Sequence, residues 1–332
     1  MSARLSLADV TRQYAGVRVL VLGATGFIGG AVARALLEAE AHLTLVARDE
    51  ARAETLRPWR RSGAEVVAAD LRQPADVSRL LADVGPHVVF NLAGYGVDRT
   101  ERDAATMAAL NTRLVETLCE RLADAGDDRW SGARLVHTGS ALEYGRAAGR
   151  LHEETPPEPT TEYGRTKLAG TDAVRRAAAA GLPCVVARLF NVYGPGEHPD
   201  RLLASLLRAA FTGGRVALST GTQRRDFTFV GDVTEGLLRL GLVPAPRGNL
   251  VNLATGRLTS VRDFATVAAA AVGLDPGALD FGAIPVNPDE MYHDEVDIAR
   301  MREETSWVPC TPVADGVRQT FEAEHAQRRL PA

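Results

Sequence analysis

From Val17 onward short β-branched runs alternate with stretches patterned as helices, and this alternation constrains the fold more than any other feature of the chain. The runs are Val17 to Leu22, His42 to Ala47, Ala64 to Ala69, His87 to Leu92, Arg134 to His137 and Pro183 to Arg188, with helical stretches such as Gly30 to Glu40 between them. A helix between two strands carries the chain back to where it started, so neighbouring strands run parallel. Six such strands predict an α/β fold, a doubly wound parallel sheet with ligands beyond the carboxyl ends of its strands. After Arg188 the alternation loosens, and glycine and proline turns (Gly194-Pro195-Gly196, Gly213-Gly214) separate shorter elements. The expected organisation is a sheet unit over residues 1–190 with a return segment near 225–255, and a smaller mixed α/β part over 191–332. Leu250 to Leu253 is the candidate late strand.

Charge and cysteine content narrow the function classes. The 38 Lys+Arg balance 42 Asp+Glu, which leaves no basic excess to bind a polyphosphate backbone by counterion release, so nucleic acid is not an expected partner. No apolar run approaches the roughly 18–20 residues that cross a bilayer, and the first sixteen residues have the polar spacing of a short helix, so a cytoplasmic protein off the membrane is expected. Cys119, Cys184 and Cys310 are far apart and lack metal-ligand spacing; they read as core thiols, with no disulfide framework and no metal site. Among the 38 basic residues only Lys167 is a lysine.

Between the first run and the first helix lies Gly23-Ala24-Thr25-Gly26-Phe27-Ile28-Gly29, ahead of Val32, Leu36 and Leu37. Glycines at this spacing let backbone N–H groups approach a pyrophosphate while the helix N-terminus stabilises its charge. The turn therefore predicts a dinucleotide cofactor, held by Gly23, Thr25, Gly26, Phe27, Ile28 and Gly29. The second strand ends in Ala47-Arg48, where an NAD site places an acid for the ribose hydroxyls. A guanidinium suits a 2′-phosphate instead, so NADP is favoured, with NAD the alternative. Asp70 and Leu71, after the third strand, are candidates for the adenine or an ordinary strand-end turn.

Tyr163 and Lys167 stand four residues apart on one face of the helix that begins after the Pro156 to Pro159 turn. An ammonium near a phenol favours phenolate, which lets the oxygen give or take a proton as a carbonyl and an alcohol interconvert. Lysine fits this task better than arginine because it is a compact point charge that also reaches ribose hydroxyls. Ser140, just past the fifth strand, is a third polar group at the same sheet edge. Alone it reads as a cap; with the pair it completes a proton-transfer triad in which Ser140 orients, Tyr163 is the acid/base and Lys167 tunes.

With these motifs in hand the chain resembles the extended short-chain dehydrogenases/reductases, in particular the nucleotide-sugar epimerase/dehydratase/reductase family. The likeness rests on Gly23 to Gly29, Asn91-Leu92-Ala93-Gly94, Ser140 to Gly145, Tyr163 to Lys167, Arg188 to Gly194 and Arg225 to Val233. It implies a Rossmann domain with a small nucleotide-sugar domain, a nicotinamide cofactor contacted also by Leu92, Ala93, Gly94 and Asn111, and a nucleotide-diphosphate sugar as substrate. Asn191 would contact the diphosphate and Arg225 would pair with its phosphates; unaided, the residues read as a turn former and as a salt bridge to Asp226 or Asp232. Tyr95, Leu142 and Tyr193 are candidate walls of the sugar pocket. The resemblance also implies a homodimer through helices flanking the Tyr163 segment.

Two departures limit what the resemblance carries. Dehydratases of this family bear an acidic pair immediately after the triad Ser/Thr, where this chain has Ala141 and Leu142; Glu143 is displaced by one, which disfavours 4,6-dehydration. A late arginine is replaced by the stretch Asn287 to Tyr292, with acids where a cation would help the diphosphate. Arg48 tilts the choice of chemistry toward an NADPH-dependent reductase of a nucleotide-activated 4-keto, 6-deoxy sugar. The alternatives are a 4-epimerase that retains NAD and a silent cofactor-binding regulator, the last disfavoured by the presence of all three triad residues.

Overall fold

The computed structural model describes residues 5–98, 100–125, 130–244, 247–286 and 290–329. Its strands are β1 (Arg18–Leu22), β2 (His42–Ala47), β3 (Glu65–Ala68), β4 (Val88–Asn91), β5 (Leu135–Ser140), β6 (Arg150–Leu151), β7 (Cys184–Leu189), β8 (Asn191–Tyr193), β9 (Val216–Leu218), β10 (Arg224–Phe229), β11 (Leu250–Leu253), β12 (Leu258–Ser260), β13 (Leu279–Phe281) and β14 (Glu295–Val296). Seven of them form one sheet in the order β11-β7-β5-β4-β1-β2-β3, and every pairing in it is parallel. The order reverses between β1 and β4, which opens a crevice at the carboxyl ends of those two strands. The six sequence-predicted strands are all present, and Leu250–Leu253 is the seventh, on the edge beside β7.

The sheet is apolar on both faces because helices cover both. Val19 and Val21 enter one hydrophobic cluster with Val32, Leu36 and Leu237, whereas Leu20 and Leu22 enter another with Leu114, Leu118 and Val174. That split follows from the two-residue period of a strand. The helix Val230–Gly241 lies in the first of these clusters through Val233, Leu237 and Leu238, so the chain returns to the large sheet after leaving it.

A third cluster lies outside the sheet. It joins Leu203, Leu206 and Leu207 with Phe227, Phe229, Phe264 and Val317, supported by β8-β10-β12 and by β9-β13. Phe27 and Ile28, the first two residues of the helix Phe27–Glu38, pack against it. The glycine turn thus stands on the seam between the large sheet and the smaller core. Cys119 and Cys184 are buried, as expected of core thiols, but Cys310 is exposed: its segment is held through backbone N–H groups donated to Asp232 by Cys310 and Thr311, which leaves the thiol outside. Among the described residues no helix is long and apolar enough to cross a membrane.

Candidate active site

The turn after β1 is tight enough to exclude side chains. Gly23 has φ +81°, and a Cβ on it would stand 2.7 Å from the Ala93 nitrogen; one on Gly29 would stand 2.1 Å from the Gly23 carbonyl. Backbone therefore packs on backbone between the glycine turn and the segment Leu92-Ala93-Gly94 that follows β4. The helix begins at Phe27 with Gly26 as N-cap and no side-chain cap bond, so its first N–H groups remain available to an anion. This cradle fits a dinucleotide pyrophosphate. The Phe27 and Ile28 side chains are committed to packing, so these two residues offer the cofactor their backbone.

At the far end of the crevice, strand and helix share a step. Four residues of helix rise ~6 Å and two residues of strand ~6.6 Å, so side chains at i and i+4 of the helix Glu162–Ala179 match alternate residues of β5. Tyr163 comes opposite Ser140, whose hydroxyl opposes the effect of burial on the phenol, and Lys167 meets Thr138, whose carbonyl accepts from Nζ at 2.5 Å. Lys167 is 3% exposed; burial lowers its ammonium to about 8, with the Glu143 carboxylate opposing the fall. The phenol behaves differently from expectation. Withdrawal from water pushes Tyr163 up to about 12; the Glu143 and Glu101 carboxylates add to the rise and the Arg201 guanidinium opposes it. The expected lowering by Lys167 does not dominate because the ammonium is aimed at Thr138.

A bolt holds this helix to the segment after β4. Asn111 is fully buried; its Oδ1 accepts from the Tyr95 N–H at 3.1 Å, and its Nδ2 donates to the Tyr95 carbonyl at 2.8 Å and to Thr166 Oγ1 at 3.0 Å. It sits in a π-helical turn, Ala109–Arg113, a local widening of the helix that is frequent at functional sites. Asn111, expected at the cofactor, is occupied by protein partners: it fixes Tyr95 and the Tyr163 helix relative to each other.

On the smaller side of the crevice, Asn191 opens β8 and pairs in register with Phe227 of β10. Arg225 is half-buried and pairs with neither Asp226 nor Asp232. Its Nε donates to Glu290 at 2.7 Å and its Nη2 bonds the second carboxylate oxygen. Asp226 instead accepts from Thr228, Thr255 and the Arg257 N–H, and Asp232 from Cys310 and Thr311. Asn287, Pro288 and Asp289 lie outside the described residues. Tyr193, expected in the pocket wall, is core: it is 2% exposed and its ring packs 5.3 Å from Phe264 and 5.7 Å from Phe229. Tyr95 and Leu142 are partly exposed and remain candidates for the wall.

The model of the NAD dependent epimerase/dehydratase family matches residues 19–254. The chain belongs to this family. Over 318 residues it is 34% identical to a UDP-glucose 4-epimerase of Mycolicibacterium smegmatis, with 92% of this chain and 98% of the relative covered. Over 323 residues it is 32% identical to a dTDP-6-deoxy-L-talose 4-dehydrogenase (NAD(P)(+)) of Kitasatospora kifunensis, covering 93% and 96%. Among solved structures, MoeE5 in complex with UDP-glucuronic acid and NAD is 29% identical with a TM-score of 0.77, covering 93% and 99%. The protein is an extended short-chain dehydrogenase/reductase, an enzyme of the nucleotide-sugar epimerase, dehydratase and dehydrogenase group.

Against that family background the strand ends are informative. Arg48 is exposed at the end of β2, and the acid beside it is spent elsewhere: Asp49 caps the helix Glu50–Thr55 by accepting from the Arg52 N–H at 2.8 Å. Asp70 is held by Arg72, which donates from Nε at 2.9 Å and Nη2 at 2.7 Å; Leu71 packs toward the second cluster. Glu143 faces inward, fully buried on Arg188, so no carboxylate follows Ser140 on the crevice side among Ala141, Leu142 and Glu143. Sequence reasoning passed over Arg188 as a site residue. Its signal was present: an arginine within the apolar strand CVVARL must find a buried counter-charge.

Proposed function

We propose that this enzyme is an NADPH-dependent 4-ketoreductase of a nucleotide-diphosphate 4-keto-6-deoxy sugar. The observation that carries the reading is Arg48, an exposed guanidinium at the end of β2 whose acidic neighbour is turned into a helix cap. A ribose 2′-phosphate accepts paired bonds from such a group, whereas a bare ribose hydroxyl would donate to a carboxylate, and Asp49 is committed to its helix cap. The cofactor would lie over Gly23 to Gly29 with its ribose toward Arg48, and when bound it supplies the hydride to the keto carbon.

The chain's residues handle the oxygen. Tyr163, protonated at neutral pH, holds the proton that a ketone oxygen needs as it becomes an alcohol, and Ser140 shares the bond that aims it. Lys167 keeps a buried positive charge beneath the reacting end of the crevice. Asn191 and Arg225 supply the diphosphate side, which requires Arg225 to exchange its carboxylate partner for phosphate oxygens. The smaller core after residue 190 would bind the nucleotide, and the enzyme would work as a homodimer.

Initial rates with dTDP-4-keto-6-deoxyglucose and either NADPH or NADH test the reading. NADPH oxidation faster than NADH oxidation supports it, and no oxidation of either across a panel of keto sugars overturns it. The 34% identity to a UDP-glucose 4-epimerase favours a second reading, epimerisation with retained NAD. That reading predicts nicotinamide surviving purification and turnover without added cofactor.

A further inference from the structure

The acid that falls one position short of the dehydratase pattern has its own place beneath the site. Glu143 is 0% and Arg188 2% exposed, and the carboxylate has four donors. Oε1 accepts from the Ser140 N–H at 2.7 Å; Oε2 accepts from Thr171 Oγ1 at 2.9 Å and from Arg188 Nε at 3.1 Å and Nη2 at 2.7 Å. Three elements therefore meet at one group: the end of β5, the Tyr163 helix one turn beyond Lys167, and β7. Gly139 is shaped around it, since a Cβ there would stand 2.7 Å from Oε1. The guanidinium is stacked 4.2 Å over the Tyr144 ring.

Such a pair is a poor device for stability, because well-packed apolar residues of similar volume do as well or better than a buried ion pair. Its position suits another task. We propose that Glu143 is a positioning residue for proton transfer at Tyr163: anchored by Arg188, its carboxylate fixes the backbone that carries Ser140 and gives Lys167 its buried counter-charge. The proposal rests on the reading of Ser140, Tyr163 and Lys167 as the proton-transfer group. Lys167 faces Glu143, with His137 held neutral by burial and by Lys167 itself. Tyr163 faces Glu143, Glu101 and Arg201, and Arg188 faces Glu143 and Tyr144.

Because Lys167 is the chain's one lysine, protein grown with 13C-lysine shows a single lysine Cε signal whose shift reports the ammonium, with no need for turnover. The unaltered protein should titrate near about 8. In Glu143→Gln, which keeps an oxygen for the Ser140 N–H and removes the charge, the midpoint should fall by about one pH unit or more, and Glu143→Asp should restore it. If Glu143→Gln does not fold with Arg188 unpaired, the double variant Glu143→Gln/Arg188→Met removes both charges together and should show a smaller fall in the same direction, since the repulsion from Arg188 goes too. An unchanged midpoint in either folded variant overturns the proposal. With the keto sugar, Glu143→Gln should lower kcat roughly tenfold or more while KM stays within about twofold; equal kcat also overturns it. Unaltered protein that turns over no nucleotide sugar would sink the functional reading, and the lysine titration would still decide the role of Glu143.

Discussion

Replacing Lys167 by methionine separates the charge of the site from its shape. Methionine keeps a straight, flexible chain in a pocket that leaves lysine 3% exposed, and removes the ammonium and its bond to the Thr138 carbonyl. Lysine is ordinarily at 10.5 and burial brings it to about 8 in the folded protein. The unfolded chain therefore binds more protons than the folded one between about pH 8 and 10.5, and stability must rise with pH across that window. At about 1.4 kcal/mol per pH unit the full rise is about 3 kcal/mol. Below pH 8 the folded protein carries that cost in full. In the variant the cost is gone, while the Thr138 carbonyl loses a donor at about 1–3 kcal/mol, so at pH 7 the two proteins should differ little or the variant should be the more stable. Urea unfolding of both proteins from pH 7 to 10.5 provides the test. The free-energy difference between them should shift by about 3 kcal/mol in favour of the unaltered protein over the window, since all other titrations cancel in the subtraction. Parallel curves would refute the claim that this lysine is buried as an ammonium. The same variant should lose turnover, the mark of a residue kept for function against stability.

Tyr163→Phe should reduce kcat by roughly 10²–10⁴-fold with little change in KM, as steady-state kinetics would show, because the ring still packs and only the proton is lost. Arg48→Asp should lower kcat/KM for NADPH by roughly 10–100-fold and leave or improve that for NADH, the loss expected for one charge-assisted phosphate contact; an unchanged NADPH/NADH ratio would remove Arg48 from the cofactor site. Asn111→Ala should destabilise the protein by roughly 3 kcal/mol in chemical denaturation, from three lost buried hydrogen bonds, and should lower activity of the folded fraction by loosening the Tyr163 helix.

The sheet was legible in the chain because its signals are local. A parallel strand buried on both faces is a short apolar run, and β2 and β11 begin and end where their runs do. The glycine turn and the Tyr163–Lys167 pair were legible for the same reason, since spacing on one element settles which side chains share a face. What escaped depends on partners distant in sequence. Glu143 and Arg188 are 45 residues apart and Arg225 and Glu290 are 65 apart, and no period connects them. Tyr193 looked like a pocket residue because it follows Asn191 in a recognisable motif, but its ring is taken up by Phe229 and Phe264, partners distant in sequence. The π-helical turn at Ala109–Arg113 has no glycine or proline to announce it; only a buried asparagine in an otherwise ordinary helix hinted that something was held there. The direction of the Tyr163 shift depended on how much water the fold removes from the phenol, which spacing does not report.

The account turns on hydride reaching a sugar carbonyl while Tyr163 supplies the proton. The most direct measurement uses NADPH carrying deuterium at its transferable position, incubated with dTDP-4-keto-6-deoxyglucose and followed by mass and NMR analysis of the product. The account predicts one deuterium on the former keto carbon and an equal amount of oxidised cofactor. Product without deuterium, formed while NADPH remains intact, would contradict it.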